Sequence, residues 1–222
     1  MKLIIGNKNY SSWSMRPWFA MRMLGIPFEE EVLNIGGDDF RERVLAVSPG
    51  GRVPVLVDGA THVWDSLAIV EYLADRFPDL GVWPAAIEAR AHARSISCEM
   101  HSGFMALRSE CPMNMWRPAI RRQLSEQAGA DAARIDALWM DCRRRYAADG
   151  PFLFGRFSGA DAMYAPVVSR FITYEVEVGA ASRAYMEAVA MSTAFEEWRA
   201  AAIREAWVLA NGEPDWPTVL KV

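Results

Sequence analysis

The sequence predicts an α/β domain over residues 1–79 followed by an all-helical domain over residues 87–222. Three observations carry that prediction. Short apolar runs alternate with helical patterns up to about residue 78, and helical patterns then run almost without interruption from about residue 86. Between them Leu80 to Ala86, with Gly81 and Pro84, reads as a linker. At 222 residues, 52% of them hydrophobic, the chain is longer than a usual single domain and can bury a sizeable core.

In the first domain Lys2–Ile5 reads as a strand. Met15, Trp18, Phe19 and Met23 then recur at helical spacing until Gly25-Ile26-Pro27 stops the helix. Pro17 is tolerable only in an early turn of that helix. Phe28–Leu33 reads as a second strand, so the βαβ unit should hold two parallel strands with a right-handed crossover, covered on both faces. A short helix near Asp38–Ala46 follows. Val53–Val57 and Thr61–Trp64 then flank Asp58-Gly59, a hairpin turn signal. A further helix begins at Ser66, with Leu67, Val70 and Ala74 at helical period beside Ile69, Leu73 and Phe77. The order βαβαββα is that of a thioredoxin-like domain.

In the second domain Ile96, Met100, Phe104, Leu107 and Cys111 form one helical stripe. Ile135, Leu138, Trp139, Cys142 and Tyr146 form another, ending at Asp149-Gly150. Ser158 with Asp161 three residues on matches a capping-box variant that opens a helix over Ala162–Ile172, with Pro166 inside it. Helical patterns around Arg183–Met191 and Ala194–Glu205 precede an irregular tail with Pro214 and Pro217.

Several function classes are disfavoured. A net charge of −4 gives no basic field for a phosphate backbone, and Arg143-Arg144-Arg145 sits on a helical pattern among acids, so nucleic acid is not expected as a partner. The N-terminal apolar run meets Asn7-Lys8-Asn9 too soon for a signal peptide, and no later run reaches membrane-spanning length; a cytoplasmic location without membrane attachment is expected. Cys98, Cys111 and Cys142 are odd in number and widely spaced, which fits neither a disulfide framework nor a structural zinc site. No metal is expected.

The chemistry gathers at Tyr10-Ser11-Ser12-Trp13-Ser14-Met15-Arg16, where three hydroxyls lie at or just before a helix N-terminus, a place that favours anions. Taken alone, one serine capping the helix accounts for this stretch. The segments Ser48-Pro49-Gly50-Gly51-Arg52-Val53-Pro54-Val55-Leu56 and Trp64-Asp65-Ser66-Leu67-Ala68-Ile69 add to it. With the Ser-Ser-x-Ser turn and a helical second half, the sequence resembles the glutathione transferase superfamily over essentially its whole length.

The resemblance implies a glutathione transferase fold with glutathione as co-substrate. It implies a cis Val53–Pro54 bond, which proline makes inexpensive at about 0.5–1 kcal/mol, with Val53 and Pro54 facing the cysteinyl part of glutathione. Ser66 would receive the γ-glutamyl carboxylate and Asp65, in place of the commoner Glu or Gln, the amino group. Arg52 could reach the glycyl carboxylate, although a plain surface charge reads equally well. A thiol of pKa about 8.5 is mostly protonated at neutral pH, so the site must stabilise the thiolate. A serine hydroxyl at the helix N-terminus can donate a hydrogen bond to the sulfur. By position Ser11 is that serine, with Ser12 close by and Tyr10 the competing donor of tyrosine-type transferases. Ser11 is the favoured assignment. Ser11-Ser12-Trp13-Ser14-Met15-Arg16 is similar to the Ser-Ser-Cys-x-x-Arg motif of zeta-class enzymes, some of them maleylacetoacetate isomerases, but Trp13 stands where their cysteine would be.

A small apolar electrophile is expected against the first helices of the second domain, where His101, Phe104, Met105 and Arg108 crowd with Met100, Met113, Met115 and Trp116. The reading is therefore a glutathione transferase, homodimeric by resemblance and concerned with detoxification. The alternatives are a glutathione-dependent isomerase and a non-catalytic binding protein of the same fold.

Overall fold

Residues 1–213 are described in a computed structural model of the chain, and the tail carrying Pro214 and Pro217 lies outside the described residues. The first segment runs β1 (Lys2–Gly6), α1 (Ser12–Met23), β2 (Glu29–Leu33), α2 (Phe40–Leu45), β3 (Val55–Asp58), β4 (Thr61–Val63) and α3 (Ser66–Arg76). This is the βαβαββα order read from the sequence. A 3-10 turn at Pro78–Leu80 leads to α4 (Ile87–Ser102), α5 (Met105–Glu110), α6 (Glu126–Tyr146), α7 (Gly159–Thr173), α8 (Ala180–Ala190) and α9 (Thr193–Arg204). A thioredoxin-like domain is thus followed by a helical one.

The sheet order is β2-β1-β3-β4. β1 and β2 are parallel, with Lys2 opposite Glu29 and Ile5 opposite Val32, whereas β3 is antiparallel to both β1 and β4. Gly59 turns the β3–β4 hairpin at φ 59°, a left-handed conformation that suits glycine. The expected cover on both faces of the parallel pair is incomplete. β2 is an edge strand whose Glu29 and Glu30 are exposed. Its charges hold it down instead: Glu30 accepts from Trp18 Nε1 and pairs with Lys8 at 2.8 Å, and Glu31 pairs with Lys2 and, at 2.8 Å, with Arg43. Charged side chains on an edge also discourage pairing with another chain.

α1 is the element both halves share, since it packs on α3 and on α7 and α9. Its Trp18 and Phe19 are fully buried in one core continuous with Trp139, Tyr164 and Trp198. Pro17 occupies the sixth helical position, beyond the early turn expected, so the Trp13 carbonyl receives no N–H from it.

The stripe Ile96–Cys111 does not lie on one helix. α4 stops at Ser102, Gly103 is extended (φ −112°, ψ −167°), Phe104 is left-handed (φ 60°), and α5 restarts at Met105. A Cβ on residue 103 would meet the Glu99 carbonyl oxygen at 2.8 Å, so the break needs glycine. The stripe residues remain buried on both sides of it. At α7 the capping box is present, with the Ser158 N–H and Oγ–H both donating to Asp161 Oδ2 at 2.7 and 3.0 Å.

Candidate functional site

Ser11 is the N-cap of α1. Its Oγ accepts from the Ser14 N–H at 3.4 Å and lies 2.8 Å from Ser14 Oγ, which accepts the Gly6 N–H at 3.0 Å. The preceding loop is held by the helical domain: Glu205 accepts from the Lys8 and Asn9 N–H groups, Trp198 Nε1 donates to the Lys8 carbonyl, and Asn9 Oδ1 accepts from the Trp116 N–H. The helix N-terminus therefore has a fixed aim.

It opens on a cleft of about 780 Å³ between the two domains. Tyr10, Ser11, Arg52, Val53, Pro54, Asp65, Ser66 and Arg108 all line it. The Val53–Pro54 peptide is cis, and so is Trp64–Asp65. Asp65 caps α3 by accepting from the Leu67 N–H, and the buried Ser66 Oγ accepts from Arg16 Nη1 at 3.3 Å.

The two donor candidates are in different states. The Tyr10 hydroxyl donates to Glu213 Oε1 at 2.9 Å, and burial with that carboxylate beside it raises the phenol above its ordinary pKa. The ring lies edge-on to Trp116. Ser11, 7% exposed, has no acidic partner among the described residues and lines the cleft. Ser12 is turned away, its Oγ accepting from Arg170 Nη2 at 3.2 Å.

The expected electrophile pocket is redrawn. Arg108 and Met113 line the cleft. Phe104, 8% exposed, is in the core because its left-handed backbone turns the chain inward, and Met105 opens α5 facing solvent at 67% exposed. Met100, Met115 and Trp116 are buried in the interior. His101 sits behind the cleft with its Nε2 3.1 Å from Asp65 Oδ2 and its ring edge-on to Trp13. Its Nδ1 is buried without a hydrogen-bond partner among the described residues, which fits the neutral Nε2–H tautomer. Burial, with Arg16 and Arg108 nearby, lowers its pKa against the opposing pull of Asp65.

Sequence reasoning named Arg108 but missed the neighbouring Arg170. Arg170, from α7, lines the cleft and is buried; it donates through Nε to the Cys111 carbonyl at 2.9 Å and has no carboxylate in ion-pair reach among the described residues. Burial, then the neighbouring Arg108, pulls it down to about 10. Arg16 behaves likewise, lowered to about 9 by burial and by Arg108 and Arg170. The Trp13 ring lies between Arg16 at 4.3 Å and Arg108 at 4.5 Å, a double cation–π contact that holds both guanidinium groups beside the α1 N-terminus. One signal was available, namely the single arginine in the largely apolar α7. Three arginines and one carboxylate, Asp65, line the cleft, so its field favours anions. Among the described residues no cysteine lines it: Cys98 is exposed elsewhere, and Cys111 and Cys142 are buried, their thiols pushed up by burial to about 11 and about 12. Neither a metal-binding group of three or more His, Cys, Asp or Glu side chains nor a helix long and apolar enough to cross a membrane occurs among the described residues.

Comparison with known proteins agrees with this fold. Residues 10–76 match the family model of the glutathione S-transferase N-terminal domain, and residues 114–207 that of the C-terminal domain. A probable maleylacetoacetate isomerase of Caenorhabditis elegans is 31% identical over 97 residues, 44% of this chain and 45% of that protein. A maleylpyruvate isomerase of Ralstonia sp is 29% identical over 139 residues, 59% of this chain and 60% of that one. The chain thus spans less than two thirds of the length of either relative. A glutathione transferase homologue from Burkholderia, solved with bound glutathione, has the same fold, with a TM-score of 0.68 at 22% identity over 90% of this chain and 97% of that one. The two family models together take in more than half of the sequence, and the chain belongs to the glutathione S-transferase family.

Proposed function

We propose that this chain activates the thiol of glutathione through the Ser11 hydroxyl and directs the thiolate at an electrophile that carries a carboxylate. The observation that carries this reading is the arrangement of the cleft: Ser11 at the N-terminus of α1 and the guanidinium groups of Arg108 and Arg170 line the same space, while Tyr10 is committed to Glu213.

Glutathione meets complementary groups along the cleft. Ser66, with Arg16 behind it, takes the γ-glutamyl carboxylate; Asp65, held by His101, takes the amino group; Arg52 takes the glycyl carboxylate; and the Val53–Pro54 segment borders the cysteinyl part. The thiol then loses its proton to solvent. Ser11 donates to the resulting anion, and the positive end of the α1 dipole adds to its stabilisation. The sulfur lone pair forms a C–S bond to the electrophilic carbon. A leaving group departs in a transfer; with a cis double bond conjugated to a carbonyl, the π pair instead moves onto the carbonyl oxygen as an enolate, the former double bond rotates as a single bond, and collapse of the enolate re-forms the double bond and expels the thiolate, giving the trans isomer.

The relatives named as maleylacetoacetate and maleylpyruvate isomerases favour the second course. The apolar electrophile expected from the methionines would be served by Trp13, Pro112 and Met113, but it has no use for the arginines. Homodimerisation and a cytoplasmic location form part of the proposal on family grounds alone.

The test is the ultraviolet absorbance of the thiolate of bound glutathione against pH, in wild type, Ser11→Ala and Tyr10→Phe, with binding measured separately. Wild type and Tyr10→Phe should show a thiol pKa below the free value of about 8.5, and Ser11→Ala should lose that shift. Loss in Tyr10→Phe alone would overturn the donor assignment, and absence of binding would favour a non-catalytic member of the fold.

A further inference from the structure

We propose that Ser14 is a positioning residue for the thiolate, supplying the hydrogen bond that releases the Ser11 proton toward the sulfur. The inference rests on the Ser11 reading above. It starts from a count of donors and acceptors at three atoms.

Ser14 Oγ is fully buried and accepts the N–H of Gly6, the last residue of β1, at 3.0 Å. The only acceptor for its own proton among the described residues is Ser11 Oγ, 2.8 Å away. Ser11 Oγ also accepts the Ser14 N–H at 3.4 Å. The pair of hydroxyls can be wired in two directions, since each carries one proton and two lone pairs. With an empty cleft Ser11 can donate inward to Ser14. With an anion in the cleft Ser11 donates outward, and its oxygen then takes two inward donors, the Ser14 N–H and the Ser14 O–H. The Gly6 N–H polarises the chain from its far end. Hydrogen bonds in series strengthen one another, so Gly6 N–H, Ser14 O–H and Ser11 O–H form one line of donors ending at sulfur. No covalent bond changes along it.

A serine at this position that merely packed the start of α1 would affect stability and all ligands alike. A relay affects only ligands that put negative charge at Ser11. S-methylglutathione, whose sulfur cannot ionise, separates the two.

The experiment compares Ser11→Ala, Ser14→Ala and Ser14→Thr for the thiol pKa of bound glutathione, the affinity for S-methylglutathione and the thermal midpoint. Ser14→Ala should raise the thiol pKa by about half a unit, about threefold less thiolate well below the pKa, while S-methylglutathione affinity stays within about twofold. Ser14→Thr, which keeps the hydroxyl, should restore the wild-type pKa. If Ser11→Ala raises the pKa and Ser14→Ala leaves it unchanged, the relay is overturned and the Ser11 reading stands. Equal weakening of glutathione and S-methylglutathione in Ser14→Ala, with no change in pKa, would make Ser14 structural. If Ser11→Ala itself leaves the pKa unchanged, the underlying reading fails first.

Discussion

Replacing Arg108 with methionine should separate charged from neutral electrophiles. The guanidinium donates through Nη1 to the His101 and Gly103 carbonyls at 3.3 and 3.4 Å, both long contacts, and stacks on Trp13 at 4.5 Å. Nε and Nη2 take no protein acceptor among the described residues, and the side chain lines the cleft. A substrate carboxylate meeting those donors gains a charge-assisted hydrogen bond of about 1.5–3 kcal/mol. A bare Coulomb interaction of about 4 kcal/mol at 4 Å and an effective dielectric of 20 sets the ceiling before desolvation is subtracted. Arg108→Met should therefore lower kcat/KM for an acidic electrophile by about 10- to 150-fold. For the methyl ester of the same compound the loss should be only a few-fold. Methionine keeps most of the apolar contact with Trp13, so lost stability should stay near the cation–π contribution of about 0.5–1 kcal/mol. Steady-state kinetics on the acid and its ester at saturating glutathione, with a melting curve for each protein, decide the matter. Equal losses on acid and ester would refute the charge argument and leave Arg108 as a wall of the cleft.

Two further predictions concern the frame around the site. Burial raises the fully enclosed Asp161 carboxyl to about 6, despite hydrogen bonds from Leu153 and Ser158 that pull the other way. A folded pKa above the unfolded value of about 3.9 means the folded state holds this proton more tightly. Its contribution is complete below about pH 4 and is lost as pH rises to about 6, a swing of roughly 3 kcal/mol. Urea unfolding from pH 4 to 7 should show that slope in wild type minus Asp161→Asn, and a flat difference would contradict it. At the junction of the two domains, a Cβ on Gly159 would meet Val70 Cγ1 at 2.8 Å and the Trp83 ring at 2.9 Å. Gly159→Ala should cost about 1–3 kcal/mol, visible as a lowered thermal midpoint; an unchanged midpoint would mean that Trp83 can yield.

What could be read in advance was what local pattern governs. The switch from period 2 to period 3.6 delimits βαβαββα because each of its elements buries one face, and Ser158 and Asp161 close their box within three residues. The break at Gly103-Phe104 was hidden because α5 restarts with its apolar residues still facing the core, leaving the stripe unbroken in sequence. The glutamates of β2 look unfavourable for a buried parallel pair until Lys8 is found paired with Glu30, and Lys2 and Arg43 with Glu31. The engagement of Tyr10 was equally hidden, since its acceptor Glu213 is 203 residues away. Which side chains reach the cleft was hidden for the same reason. Side chains such as His101 and Arg170 are assigned by which helices converge, and no spacing in the chain reports that convergence.

The same long-range contacts tie the site to the helical domain even though Ser11, the proposed thiol donor, belongs to the other one. Between the end of β1 and the N-cap, residues 7–10 form a turn with no sheet neighbour, and its backbone groups must find partners. Glu205 and Trp198 supply those for Lys8 and Asn9 from α9 and its C-terminal end, and Asn9 in turn holds the Trp116 N–H. Burial raises the Glu205 carboxyl while the two N–H groups and Lys8 oppose that rise, so the carboxylate and the turn hold each other in place. An isolated first domain would lose the fixed orientation of Ser11, because Trp116, Trp198 and Glu205, which hold the turn, all come from beyond residue 110. On the proposed reading, activation of the thiol and recognition of the electrophile therefore depend on one packing arrangement. A change in α9 that never touches the cleft should then alter the thiol pKa.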